Sequence, residues 1–194
     1  MIMMRKWVGL GMLVAAAFAA NAQATQISLD TDGSWNAFDV DDLTSAGFGV
    51  EWIDLGDGSP LSFAFTSATD VRLTVVDAGF AGDRFNVFDN GNPLGVTGTA
   101  TDSYPASLVL DFDTALATPG YSSAVFLLAA GSHVITGDLF ASAHGPGGAE
   151  LNATVGGLKV APVPLPASLL LLLSGGGLLG ALRRRGVRNV EVQS

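Results

Sequence analysis

The sequence predicts an all-β domain, an antiparallel β-sandwich, set between two apolar end segments. Three observations predict it. Between the ends, short apolar runs alternate with turn-forming residues at strand-like spacing. Residues 25–166 hold 15 Asp against only 2 Glu, and the chain holds 25 Gly. Asp favours turns because its short side chain bonds nearby backbone N–H groups, whereas Glu favours helix. Cysteine is absent, so an ordinary hydrophobic core rather than disulfides must hold an exported chain of this kind. About 140 residues between the ends suffice to bury such a core.

Taken in order, Phe48–Leu55, Leu61–Thr66, Val71–Asp77, Arg84–Asp89, Ser107–Asp111, Ala124–Ala130 and His133–Phe140 read as strands. Ala149–Val160 adds one or two more. Asp89-Asn90-Gly91-Asn92 predicts a hairpin, since Asn-Gly supplies the positive φ angles of a type I′ turn. Pro93 beside that turn predicts an edge position. A single helical turn is expected over Thr114–Ala117. About eight strands at this spacing fit a sandwich of jelly-roll or immunoglobulin-like topology.

Residues 1–24 read as a secretory signal peptide, an N-terminal signal helix. Arg5 and Lys6 form its charged start, Trp7 to Ala20 its apolar centre, and Ala20-Asn21-Ala22 or Ala22-Gln23-Ala24 its cleavage site. At the other end Pro162, Pro164 and Pro166 keep the chain extended, making residues 161–166 a proline-rich linker after a domain at 25–160. The apolar stretch Ala167–Leu182 has 16 residues, about 24 Å as a helix, which spans a bilayer with snorkelling arginines and local thinning. Arg183, Arg184 and Arg185 follow it and predict a cytoplasmic C-terminus. Both basic flanks therefore place the domain on the far side of the membrane.

The run Val163, Pro164, Leu165, Pro166, Ala167, Ser168, then the transmembrane stretch, then the arginines, resembles the PEP-CTERM sorting signals of Gram-negative bacteria in their VPLPA form. The resemblance covers residues 163–188, with Leu165 where the name-giving form has Glu. It implies an exosortase substrate, cleaved near Pro164–Ala167 and then released or re-attached outside. Proteins of this family are associated with exopolysaccharide, biofilm or extracellular matrix. The segment Leu73–Gly98 and residues 130–137 also resemble a β-sandwich ectodomain common in that family.

Residues 25–166 set 17 acidic side chains against Arg72, Arg84 and Lys159, a formal charge of −14; six of the nine basic residues lie in the end segments. That balance excludes nucleic acid as a partner, since nothing would neutralise a run of phosphates. His133 and His144 are the only histidines and cysteine is absent, so a zinc site would need two or more carboxylates beside them, and no G-x-S-x-G elbow occurs. No catalytic set is therefore assigned, and a secreted hydrolase ranks third. Calcium is the candidate cation, with Asp30, Asp32, Asp39, Asp41 and Asp42 around one loop and Asp77, Asp83 and Asp89 around another. The twelve-residue EF-hand loop is incomplete, because Asp41 stands where Glu is required, and Asp capping of turns explains these positions equally well. Trp35 and Trp52 are candidate sugar-stacking residues, with core packing as the competing reading. The leading expectation is a non-enzymatic exported surface or matrix protein handled by signal peptidase and exosortase. The alternative is a carbohydrate- or calcium-dependent adhesion module on the same delivery system.

Overall fold

The computed structural model describes residues 24–164. Residues 1–23 of the expected signal peptide, Leu165 to Ser168 of the expected sorting motif, the apolar stretch and Arg183 to Arg185 lie outside the described residues. Among the described residues no helix is long and apolar enough to cross a membrane.

Ten strands form two five-stranded sheets. One sheet holds β1 (Thr25–Ser28), β3 (Leu61–Ser67), β9 (Gly131–Ala141), β5 (Arg84–Asp89) and β6 (Asn92–Val96), in that order. The other runs β2 (Asn36–Asp41), β10 (Ala153–Pro162), β4 (Val71–Phe80), with β8 (Ser123–Leu128) and β7 (Leu108–Val109) sharing the far edge of β4. The architecture is the expected all-β sandwich. It departs from a purely antiparallel one at β1, which pairs in parallel with β3.

Alternation explains most strands. In β3, Leu61, Phe63 and Phe65 are buried while their neighbours are not, and β9 repeats the pattern with His133, Ile135 and Gly137. The two inner faces meet in a core that includes Phe38, Phe63, Leu73, Phe85, Ile135 and Leu158. Strand β4 is buried on both sides. Val71, Leu73 and Val75 face the core, while Val76 and Ala78 join a second cluster with Ala115 and Tyr121. Helix α1 (Phe112–Ala117) covers that outer patch, starting two residues before the expected turn, with Asp111 accepting from Thr114 N as its N-cap.

The hairpin forms where expected. Asn90 and Gly91 take φ of 50° and 78°, Asp89 pairs with Asn92, and Pro93 lies on the edge strand β6. Two expectations need correction. Phe48–Leu55 is not a strand of either sheet; its middle bridges both. Trp52 N donates to Gly137 O and Leu61 N to Trp52 O on one sheet, while Ile53 exchanges bonds with Asp39 on the other. Strands β1 and β2 are not announced by the sequence, because they are short and hold three polar residues each. Ala149–Val160 contributes one strand, within the one or two expected, and that strand continues through Pro162 opposite Val71.

Strand register gives the sandwich two distinct ends. Val71, Leu128 and Pro162 share a row at the end where the chain leaves β10. The β4–β5 turn, the β9–β10 connection and the loop from Asp42 to Pro60 gather at the opposite end.

Candidate functional site

Two groups of acidic residues lie in neighbouring places at the end away from Pro162. The first is inside the sandwich. Alternation in Val71, Leu73, Val75 carries Asp77 inward, and it is fully buried; Asp83, in the following turn, is 2% exposed. Asp77 Oδ2 accepts from Gly82 N at 3.3 Å, and its Oδ1 has no hydrogen-bond partner. Asp83 Oδ1 accepts from Ala143 N at 2.9 Å. Asp102 Oδ1 accepts from His144 N, and its Oδ2 lies 3.0 Å from His144 Nδ1. A side chain at Gly82 would strike Asp102 and Ala143, so only glycine lets these segments close on each other. Burial, reinforced by the charge of Asp83, pushes Asp77 up to about 9. Burial pushes Asp83 up to about 6 against the hydrogen bond from Ala143. Asp77 is therefore a neutral carboxylic acid at pH 7.

The second place is an open cleft of about 300 Å³ on the outer face, where β2 and β10 meet the loops. Asp39 and Asp41 line it with Ile53, Leu55, Leu108 and Leu110. Burial, then the charges of Asp54 and Asp41, raise Asp39 to about 6. None of the three domain cations balances this group. Lys159 donates to Asp113 Oδ1 at 3.0 Å and sits 4.1 Å over the Trp35 ring. Arg84 donates to the carbonyls of Thr97 and Gly98. Arg72 lies near the other end, opposite Leu127 and Ala161.

The proposed calcium set is scattered. Asp30 and Asp32 lie on the loop after β1, near the chain exit, where Asp32 Oδ1 accepts from Ser34 N. Asp89 binds His133 Nδ1 at 2.8 Å. Asp77 and Asp83 come together inside the sandwich, and Asp39 and Asp41 share the outer cleft. Among the described residues no three His, Asp or Glu side chains converge to hold one metal ion. Sequence clusters of Asp report turns here, as the capping bonds of Asp32, Asp41, Asp54 and Asp57 show.

The sugar-stacking pair also divides. Trp52 is fully buried, stacked on Phe38 at 3.9 Å between ring centroids and edge-on to Phe63 and Phe85. It has no face left for a ligand. Trp35 is half-buried, packed on Phe112 and capped by Lys159. His144, which offered no sequence partner, is held by Asp102, a residue with no local motif to announce it. His133 is a core-edge side chain between Asp89, Ala129 O and the stacked Phe65 ring. Of the expected sorting motif, Val163 and Pro164 are among the described residues, and Val163 N–H donates to Asp70 O.

No family model matches the chain, and no curated protein matches it. Among solved structures, the fold is similar to the pre-peptidase C-terminal domain of a collagenase from Bacillus anthracis, at 10% identity and a TM-score of 0.36, covering 71% of this chain and 94% of that one. It is also similar to CorA, a surface-associated copper-binding protein important in Methylomicrobium album BG8 copper acquisition, at 12% identity and a TM-score of 0.37, covering 72% and 98%. Neither likeness is close enough to carry a function across.

Proposed function

We propose that this chain is a non-enzymatic, exported cell-surface or matrix protein whose β-sandwich is tethered by its C-terminal end and presents its acid-rich end outward. One observation carries the reading. The strand leading to the sorting motif leaves the sandwich in the row of Val71 and Leu128, opposite the cleft of Asp39 and Asp41. A domain held there would turn its charged end toward solvent and its partners. The motif Val163–Ser168, the apolar stretch and Arg183–Arg185 supply the tether and its processing by exosortase. Intact mass of the protein recovered from cells tests this. Loss of everything after the motif is the expected result, and a mature chain still carrying Arg183–Arg185 would rule out processing while leaving anchoring in place.

The cleft favours a second reading, a binding module for a matrix component. Carboxylates above an apolar wall of leucines suit a ligand with cationic or hydroxyl groups on a hydrophobic body. Polysaccharide pull-down with the native protein and with Asp39→Asn separates the readings: binding lost in the variant supports the module, and equal retention of both removes the cleft from the account. For a hydrolase, the His144–Asp102 pair is the nearest fragment of a triad, and no serine hydroxyl bonds the other ring nitrogen among the described residues.

A further inference from the structure

We propose that the corner between β8 and β9, formed by Leu127, Ala129 and Ala130 with Val125 above, rests in the interfacial layer of the bilayer that holds the C-terminal apolar stretch. The inference rests on the anchored reading given above and adds the surface that meets the lipid. Leu127 is 74% exposed and Val125 57%, and both lie on the outer face of a strand whose second edge has no strand partner. Ala129 and Ala130 are exposed in the turn that follows. From Ser123 to Ser132 the chain carries no charged residue, although edge strands in solvent are ordinarily guarded by charge or proline.

The tether brings this corner to the membrane. Leu127 pairs with Arg72, and Arg72 with Ala161, so Leu127 stands two strands away in the exit row, about 10 Å across the sheet. Four residues, Val163 to Pro166, separate β10 from the apolar stretch, a reach of about 14 Å when fully extended. Val163 is already tied to Asp70 O. A domain on so short a leash keeps its exit end against the lipid. Most of the acidic side chains, among them Asp39, Asp41, Asp54, Asp77, Asp83 and Asp102, lie at the other end. At the exit end Asp89 is bonded to His133, Asp30, Asp32 and Asp70 are exposed, and Arg72 is exposed beside Leu127. With those carboxylates present, the apolar side chains rather than charge carry the contact with the interfacial layer.

The test uses the unprocessed chain, expressed from Met1 in a host without exosortase, shown by intact mass to retain Arg183–Arg185, and reconstituted into zwitterionic vesicles. Because the chain has no cysteine, Leu127→Cys, Ala130→Cys and the far-end reference Leu43→Cys each take one nitrobenzoxadiazole label. Blue-shifted emission quenched by nitroxide lipids at 127 or 130, with water-like emission at 43, is the expected result. Water-like emission at both 127 and 130 in protein that floats with the vesicles overturns the docking and leaves anchoring intact. Failure to float overturns both. A blue shift that nitroxide lipid does not quench, and that grows with protein density, assigns the corner to a second copy and overturns the lipid contact. The two labelled sites are exposed and independent, so misfolding of one variant leaves the other to decide.

Discussion

Two buried carboxylates at the same end of the sandwich have opposite environments. Glu51, on the segment that bridges the sheets, is 5% exposed and well supplied with donors: Ser45 Oγ and the Phe48 N–H, the latter at 2.9 Å. Burial works to raise its pKa, but these hydrogen bonds outweigh it and hold the group below its ordinary value. Asp77, on β4, is fully buried with one long bond from Gly82 and an orphaned oxygen. The Glu51 corner is thus built around an anion, which organises the loop from Ser45 to Gly49. The Asp77 corner is built around a neutral acid beside a second buried carboxyl. Burial works to raise both groups; the donors outweigh it at Glu51 and fail to at Asp77.

The largest test strikes the bridge that carries Glu51. Trp52→Ala removes the ring stacked on Phe38 and filling the space over Gly137. We expect a loss of about 4 kcal/mol in urea unfolding. A loss under about 1 kcal/mol would mean that the bridge does not hold the two sheets together.

Asp77→Asn addresses the other corner through pH. A raised folded pKa means that Asp77 stabilises the fold fully below its unfolded value of 3.8 and loses that contribution as pH rises toward about 9. Asp83 does the same between 3.8 and about 6. The native protein should therefore weaken steadily from mild acid into alkali. The asparagine variant should lose most of that slope and exceed the native protein by on the order of 3 kcal/mol at the alkaline end. Parallel unfolding profiles for the two proteins from pH 4 to 9 would refute the neutral-acid assignment.

Glu51→Gln should behave in the opposite sense. A lowered folded pKa gives stability that is present above the unfolded value of 4.5 and is lost as pH falls through the folded one. Removing the charge costs about 2 kcal/mol at pH 7, where its hydrogen bonds are charge-assisted, and the difference closes in acid. A variant as stable as the native protein at pH 7 would erase the contrast between the corners. Least affected should be His144→Ala, which deletes a half-exposed pair with Asp102; a change of less than about 0.5 kcal/mol is expected, and a larger loss in thermal unfolding would make that pair part of the Asp77 corner.

Much of the sandwich was legible because its strands alternate. Leu61–Thr66, Arg84–Asp89 and His133–Phe140 carry their apolar residues at period two, and Asn90-Gly91 fixes the turn between β5 and β6. The same alternation places Asp77 inward after Val75, a signal that an Asp-for-turn reading overlooks. Strands β1 and β2 were hidden because their hydrogen-bond partners, β3 and β10, are far away in sequence. The bridge at Phe48–Leu55 misled because its apolar residues serve two sheets and an exposed loop at once; Phe48 and Leu55 face solvent while Trp52 and Ile53 are buried.

Composition and local pattern alone determined the all-β class, the acidic character, the hairpin and the apolar ends, since each depends on neighbours in the chain. Tertiary structure decided which acidic side chains meet, that Trp52 is core, that Asp102 holds His144, and which end of the sandwich faces away from Pro162. Those outcomes depend on strand register and on the supply of backbone donors across wide gaps in the chain, 60 residues between Asp83 and Ala143, where a local pattern carries no information.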